Sequence, residues 1–178
     1  MQFRVSASTA PDPSTPAEFL ALPAIAPLPP ETRVRRLALL EHMHSLGEGG
    51  PTAALLGSVD ADPADGPAGT THLMWMDPVT ENPSLGDTEV WEVYNLTADA
   101  HPVHIHEVAF EVVDRQPITV VDGFVDLDPD SPRTPPLPGE TGRKDTVIAY
   151  PEQVTRVRAT FGMAGQYVWH CHIVEHED

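Results

Sequence analysis

The sequence predicts an all-β fold, an antiparallel β-sandwich, on three observations. Short runs rich in β-branched and aromatic residues alternate with Gly, Pro, Asn and Asp clusters, no segment keeps a helical period, and at least one run alternates its apolar residues with period two. With 178 residues, 40% of them apolar, the chain has material for one core of ordinary size.

Taken in order, residues 6–31 are crowded with proline (Pro11, Pro13, Pro16, Pro23, Pro27, Pro29, Pro30), which removes backbone donors and favours an extended linker or surface-wrapping arm. Arg33 to Glu41 (RVRRLALLE) predicts the first strand. Gly47 to Gly69, rich in Gly, Ala, Asp and Pro, predicts a long loop. Further strands are expected over His72 to Met76, Thr88 to Leu96, Val103 to Arg115, Pro117 to Val121, Asp145 to Tyr150, Gln153 to Phe161 and Gln166 to Cys171. In the Gln153 run, Val157, Ala159 and Phe161 share one side and Arg156, Arg158 and Thr160 the other, the pattern of a half-buried strand. Asp126 to Gly142 predicts a second excursion loop.

The formal charge of −17 argues against nucleic acid and anionic membrane surfaces, which would be repelled. No apolar run reaches the roughly eighteen residues of a spanning helix, and the first residues do not have the form of a secretory signal. The single cysteine, Cys171, has no internal disulfide partner.

Six of the nine histidines and that cysteine fall into two clusters, His101-Pro-Val-His104-Ile-His106 and His170-Cys171-His172 with His176 beyond. Imidazoles mixed with one thiolate suit copper and disfavour calcium or magnesium. Strand alternation sharpens this: His104 and His106 point one way and His101 the other, while His170 and His172 share a face and Cys171 opposes them. If the two strands are adjacent, four imidazoles converge on one side and Cys171 with His101 on the other. A thiolate with two imidazoles, here Cys171, His101 and His176, is the trigonal set of a blue copper site.

HPVHIH followed downstream by YVWHCHIVEHED resembles the paired copper signatures of the multicopper oxidases, above all the bacterial laccase, spore-coat oxidase and bilirubin oxidase branch. The stretches DPVTENPSLGDTEVWEVYNLTADAHP, VAFEVVDRQ and GRKDTVIAYPEQVTRVRATF match the last domain of that branch in order and spacing. The resemblance implies a cupredoxin-like Greek-key sandwich over residues 32–178, with residues 1–31 as the end of a preceding domain and a Pro-rich arm. It implies that His101, Cys171 and His176 hold a mononuclear blue copper that takes electrons from a small reducing substrate. His104 would bind one copper of a trinuclear cluster, and His106, His170 and His172 its coupled pair, where O2 is reduced to water. Glu177 matches an acid that delivers protons. Two features depart from the family: the chain stops at Asp178, before the position of the axial ligand, and it carries no first domain with two HxH motifs. The other cluster ligands are therefore expected from N-terminal cupredoxin domains or another chain, with a stand-alone electron carrier and an inactive fragment as the contrasting readings.

Three further features carry no separate chemistry. His42-Met43-His44 has the HxH form but not the family's surroundings and is expected to be a solvated loop pair. Met74, Trp75 and Met76 are expected in the core or its wall, His72 as a packing or loop histidine, and Trp91 and Trp169 as core aromatics. His172-Ile-Val-Glu175-His176 matches the HxxEH zinc-peptidase form, but the preceding strand and His-Cys-His run have no place in that enzyme.

Overall fold

The computed structural model describes residues 2–4, 6–7, 11–21, 23–43 and 50–174. Twelve strands are described: β1 (Arg33–Met43), β2 (Pro51–Val59), β3 (Thr70–Leu73), β4 (Thr88–Asn95), β5 (His101–Ile105), β6 (Phe110–Pro117), β7 (Thr119–Val121), β8 (Phe124–Asp126), β9 (Arg143–Lys144), β10 (Thr146–Ala149), β11 (Gln153–Thr160) and β12 (Trp169–Cys171). They form a seven-stranded sheet, β3-β2-β1-β4-β11-β6-β9, a three-stranded sheet, β10-β5-β12, and the β7-β8 hairpin.

Four sequence expectations are corrected. The Gly47 to Gly69 stretch is not all loop, because β2 lies within it and pairs antiparallel with β1 over Leu37↔Ser58 to Met43↔Pro51. The sandwich is not wholly antiparallel, since β1 runs parallel to β4. The Val103 to Arg115 run is two strands, broken where Glu107 adopts a left-handed backbone, φ 74°. The strand beginning near His72 ends at Leu73, and Met74, Trp75 and Met76 are exposed rather than core.

The two larger sheets enclose the main core, in which Leu37 and Leu39 of β1, Trp91 and Val93 of β4, Val103 and Ile105 of β5, Phe110, Val147 and Val157 pack together. A second core on the other face of the large sheet gathers Ala38, Tyr94, Val154, Ile118, Val125 and Leu127 under the β7-β8 hairpin. Every residue of β4 is therefore buried, and β11 is buried on both faces over Val154, Thr155, Arg156 and Val157, more than the half-buried strand expected.

Burial on both faces forces the polar residues of these strands to pair internally. Arg156 is bound by Glu92 (2.6 Å), Asp114 (2.8 Å) and Gln116 (3.0 Å). Burial opposes its charge, but the two carboxylates outweigh that and hold its pKa above the ordinary value. Glu89 accepts both Arg35 (2.6 and 3.0 Å) and the Trp91 indole N–H (3.0 Å). The described residues of the Pro-rich segment are mostly exposed, and its later part lies on the sandwich: Arg143 donates to Ala26 O (2.7 Å), Leu28 N–H to Glu111 (3.3 Å), and Glu31 pairs with Arg158 (2.9 Å).

Candidate metal centre

β5 is the middle strand of the small sheet, and β12 pairs with it antiparallel through Trp169↔Ile105, His170↔His104 and Cys171↔Val103. Backbone bonds carry the ladder past both ends, from His106 N–H to Val168 O (3.1 Å) and from His172 N–H to Pro102 O (2.8 Å). With His170 directly opposite His104, the pleat sends those two side chains to the same face and Cys171 and Val103 to the other. The alternation is visible in burial: His101, Val103, Ile105 and Cys171 face the main core, while His104 and His170 are partly exposed and His106 and His172 exposed.

On the open face the ligand nitrogens of His104, His106 and His170 lie within 4.8 Å of one another. His106 Nε2 and His170 Nε2 are 3.1 Å apart. Imidazole nitrogens held about 2.0–2.1 Å from one metal ion at a tetrahedral angle would be roughly 3.3 Å apart, so this pair fits a shared ion. The His172 ring joins them, 4.8 Å from the His170 ring and 5.6 Å from that of His104. Desolvation by the packed rings, followed by the charges of His104, His170 and His172, holds the His106 pKa below its ordinary value, so its nitrogens stay available to lower pH than a free imidazole. His104 Nδ1 donates to the Asp145 carbonyl (2.7 Å); a carbonyl only accepts, so the proton sits on Nδ1 and Nε2 keeps its lone pair.

On the core face, His101 Nδ1 lies 3.4 Å from Cys171 Sγ, and Ile173 N–H donates to the same sulfur at 3.4 Å. Both residues are almost wholly buried. A cavity of about 400 Å³ opens beside His101 between Glu41, Asp99 and Ile173. Burial, then the Asp99 charge, raises the Glu41 pKa.

Of the sequence-predicted ligands, the structure thus brings His104, His106, His170 and His172 together on one face and His101 with Cys171 on the other. His176 and Glu177 lie outside the described residues, as do His44 and Glu175. His42 is exposed at the end of β1, its ring 5.3 Å from the His72 ring. Trp91 is core, and Trp169 is partly buried against it, ring centroids 6.2 Å apart. Sequence reasoning missed Thr97, whose hydroxyl lies 2.6 Å from His101 Nε2, and Asn95, which binds Thr97. The Asn-x-Thr spacing of an Asx turn ahead of His101 was the available signal.

Residues 51–178 match the family model described as multicopper oxidase. The chain belongs to the multicopper oxidase family. It is 49% identical over 107 residues to a laccase of Bacillus subtilis (strain 168), an alignment covering 58% of this chain and 21% of that protein. It is 44% identical over 97 residues to a laccase of Haloferax volcanii, covering 54% of this chain and 14% of the relative. Among solved structures, the McoA multicopper oxidase of Aquifex aeolicus superposes with a TM-score of 0.54 at 22% identity, covering 88% of this chain and 30% of that one. The multicopper oxidase of Pediococcus acidilactici gives 0.54 at 24% identity, with 90% and 27% covered. These superpositions show the cupredoxin-like fold. Copper is the family's metal, and the imidazole and thiolate donors gathered here are the types that copper takes. The chain spans only 21% and 14% of the length of these two laccases.

Proposed function

We propose that this multicopper oxidase chain acts as the C-terminal cupredoxin domain of a laccase-like oxidase, with residues 32–178 as that domain and 1–31 as the end of a preceding one and its linker. In this reading His101, Cys171 and His176 hold a mononuclear blue copper. His104, His106, His170 and His172 supply half of a trinuclear cluster, and Glu177 delivers protons to it. Bound copper would supply one-electron chemistry linking oxidation of a small reducing substrate, phenol-like or a metal ion, to reduction of O2 to water.

The observation that carries the reading is the β5–β12 register. It puts one sulfur and the His101 imidazole on the buried face and four imidazoles on the open face, with the His170-Cys171-His172 backbone as a covalent connection between them. The protein's part is to fix that spacing and to bury the thiolate site away from solvent. The exposure of the four-imidazole face supports completion by other ligands. A groove of about 1350 Å³ beside His106 and His170, lined by Trp75, Val79, Phe161 and Tyr167, suits the apolar surface of a further cupredoxin domain bearing those ligands.

Copper stoichiometry with oxygen uptake tests this. The chain titrated with cupric ion is expected to take up copper at both faces, and His104→Ala/His106→Ala to bind less. Oxygen consumption with a phenol or ferrous ion is expected only once the N-terminal cupredoxin domains are supplied. A single copper whose uptake is unchanged by His104→Ala/His106→Ala would instead mark an electron carrier.

A further inference from the structure

The mononuclear reading requires His101 to present Nδ1, not Nε2, as the donor beside Cys171, and the chain contains a device that selects this tautomer. Asn95, the fully buried last residue of β4, donates through Nδ2 to the carbonyls of Asp99 (2.8 Å) and Ala149 (3.0 Å). Two carbonyl acceptors fix which end of the amide is nitrogen. Its Oδ1 therefore faces Thr97, where it accepts from Thr97 N–H (2.9 Å) and from the Thr97 hydroxyl (2.9 Å). The second acceptor within reach of that hydroxyl, Asp99 O at 3.2 Å, also cannot donate.

The hydroxyl of Thr97 has one proton, and giving it to Asn95 Oδ1 leaves the oxygen lone pairs for His101 Nε2 at 2.6 Å and Asp99 N–H at 3.3 Å. An oxygen that accepts at 2.6 Å needs the proton on the ring nitrogen. We infer that Thr97, oriented by Asn95, is a positioning residue that holds His101 as the Nε2–H tautomer, so that the Nδ1 lone pair faces the Cys171 sulfur before any metal arrives. His104 is held in the opposite tautomer by Asp145 O, so two histidines of one strand are set to offer different nitrogens to the two faces.

The proposal rests on the reading of His101 and Cys171 as a copper site, and the test separates the two. Long-range 15N–1H spectra of the metal-free full chain, labelled at histidine, are expected to show His101 protonated at Nε2. Thr97→Val is expected to shift His101 toward the Nδ1–H form and to lower cupric affinity, read from the Cys171-dependent visible band, about tenfold; Thr97→Ser is expected to restore both, with copper uptake on the four-imidazole face unchanged throughout. An Nδ1–H tautomer in the unmodified chain overturns the inference, and that measurement decides it even if Thr97→Val does not fold. So does a Thr97→Val chain whose tautomer and copper affinity match the unmodified chain. A chain with the Nε2–H tautomer but no Cys171-dependent band would instead overturn the copper-site reading and leave the Thr97 contact standing.

Discussion

His101 Nδ1 faces Cys171 Sγ at 3.4 Å inside the sandwich, one peptide unit away from a cluster of imidazoles that faces out of it. A strand can do this because consecutive side chains leave the backbone in opposite directions, so three successive residues serve two pockets. Replacing the sulfur should therefore affect one pocket only. With Cys171→Ser, cupric ion is expected to give no intense thiolate band in the visible spectrum, while binding to the outward imidazoles persists in equilibrium dialysis. Loss of all copper binding would show that the two faces are not independent.

Arg156 joins Glu92 of β4, Asp114 of β6 and Gln116 under the second core. Removing it leaves two largely buried carboxylates with weaker partners, Glu92 with Arg36 (3.3 Å) and the Tyr94 hydroxyl (3.0 Å) and Asp114 with Arg133 (3.3 Å), so Arg156→Met is expected to cost about 3 kcal/mol, the low end for a broken buried pair. Denaturant unfolding followed by tryptophan fluorescence measures this, and a loss within the experimental error of zero would contradict the burial assigned to the triad.

Arg115 grips Glu140 through both nitrogens, at 2.7 and 2.6 Å. That hydrogen bonding, helped by the Leu137 N–H and opposed by desolvation, holds the Glu140 pKa below its ordinary value of 4.5. A depressed carboxylate pKa contributes stability that is fully present above the unfolded-state pKa and is lost as pH falls through the folded-state value. Glu140→Gln should therefore lower stability at pH 7 and flatten the fall in stability below about pH 4.5, a change read from melting temperatures across that range. An unchanged acid limb would rule out Glu140 as a contributor.

A methyl group at Gly57 would meet Thr71 O at 2.3 Å and Leu40 Cδ1 at 3.1 Å. Gly57→Ala is thus expected to push β3 away from β2 and to destabilise the chain by about 1–3 kcal/mol, with faster amide exchange along β2 and β3. Exchange confined to unchanged rates would argue against the close approach.

How far the sequence could be read follows from which interactions are local. The copper-ligand parity was legible because it depends on residue spacing within His101–His106 and His170–His172, and a strand converts odd and even spacing directly into faces. β2 was not legible. Its Pro51, Ala53, Ala54 and Gly57 have poor strand propensity, and the segment is a strand because β1 and β3 pair with it on both sides. The parallel β1–β4 pairing and the break at Glu107 escaped for related reasons, since neither topology nor a left-handed non-glycine residue has a local composition. Met74, Trp75 and Met76 look like core by residue type but are exposed, and Trp75 lines the groove beside the outward imidazoles. The support of His101 depends on Asn95 reaching Ala149 across the fold, a contact between distant segments that no motif announces.

Copper-edge X-ray absorption of the copper-loaded chain, compared with Cys171→Ser and His104→Ala/His106→Ala, tests most directly whether one pair of strands serves two separate metal pockets. The account predicts a sulfur neighbour of copper in the unmodified chain, its persistence in the double-histidine variant and its absence in Cys171→Ser, with nitrogen neighbours remaining there. Copper with only nitrogen and oxygen neighbours in the unmodified chain, or a sulfur signal that vanishes with His104 and His106, would contradict it.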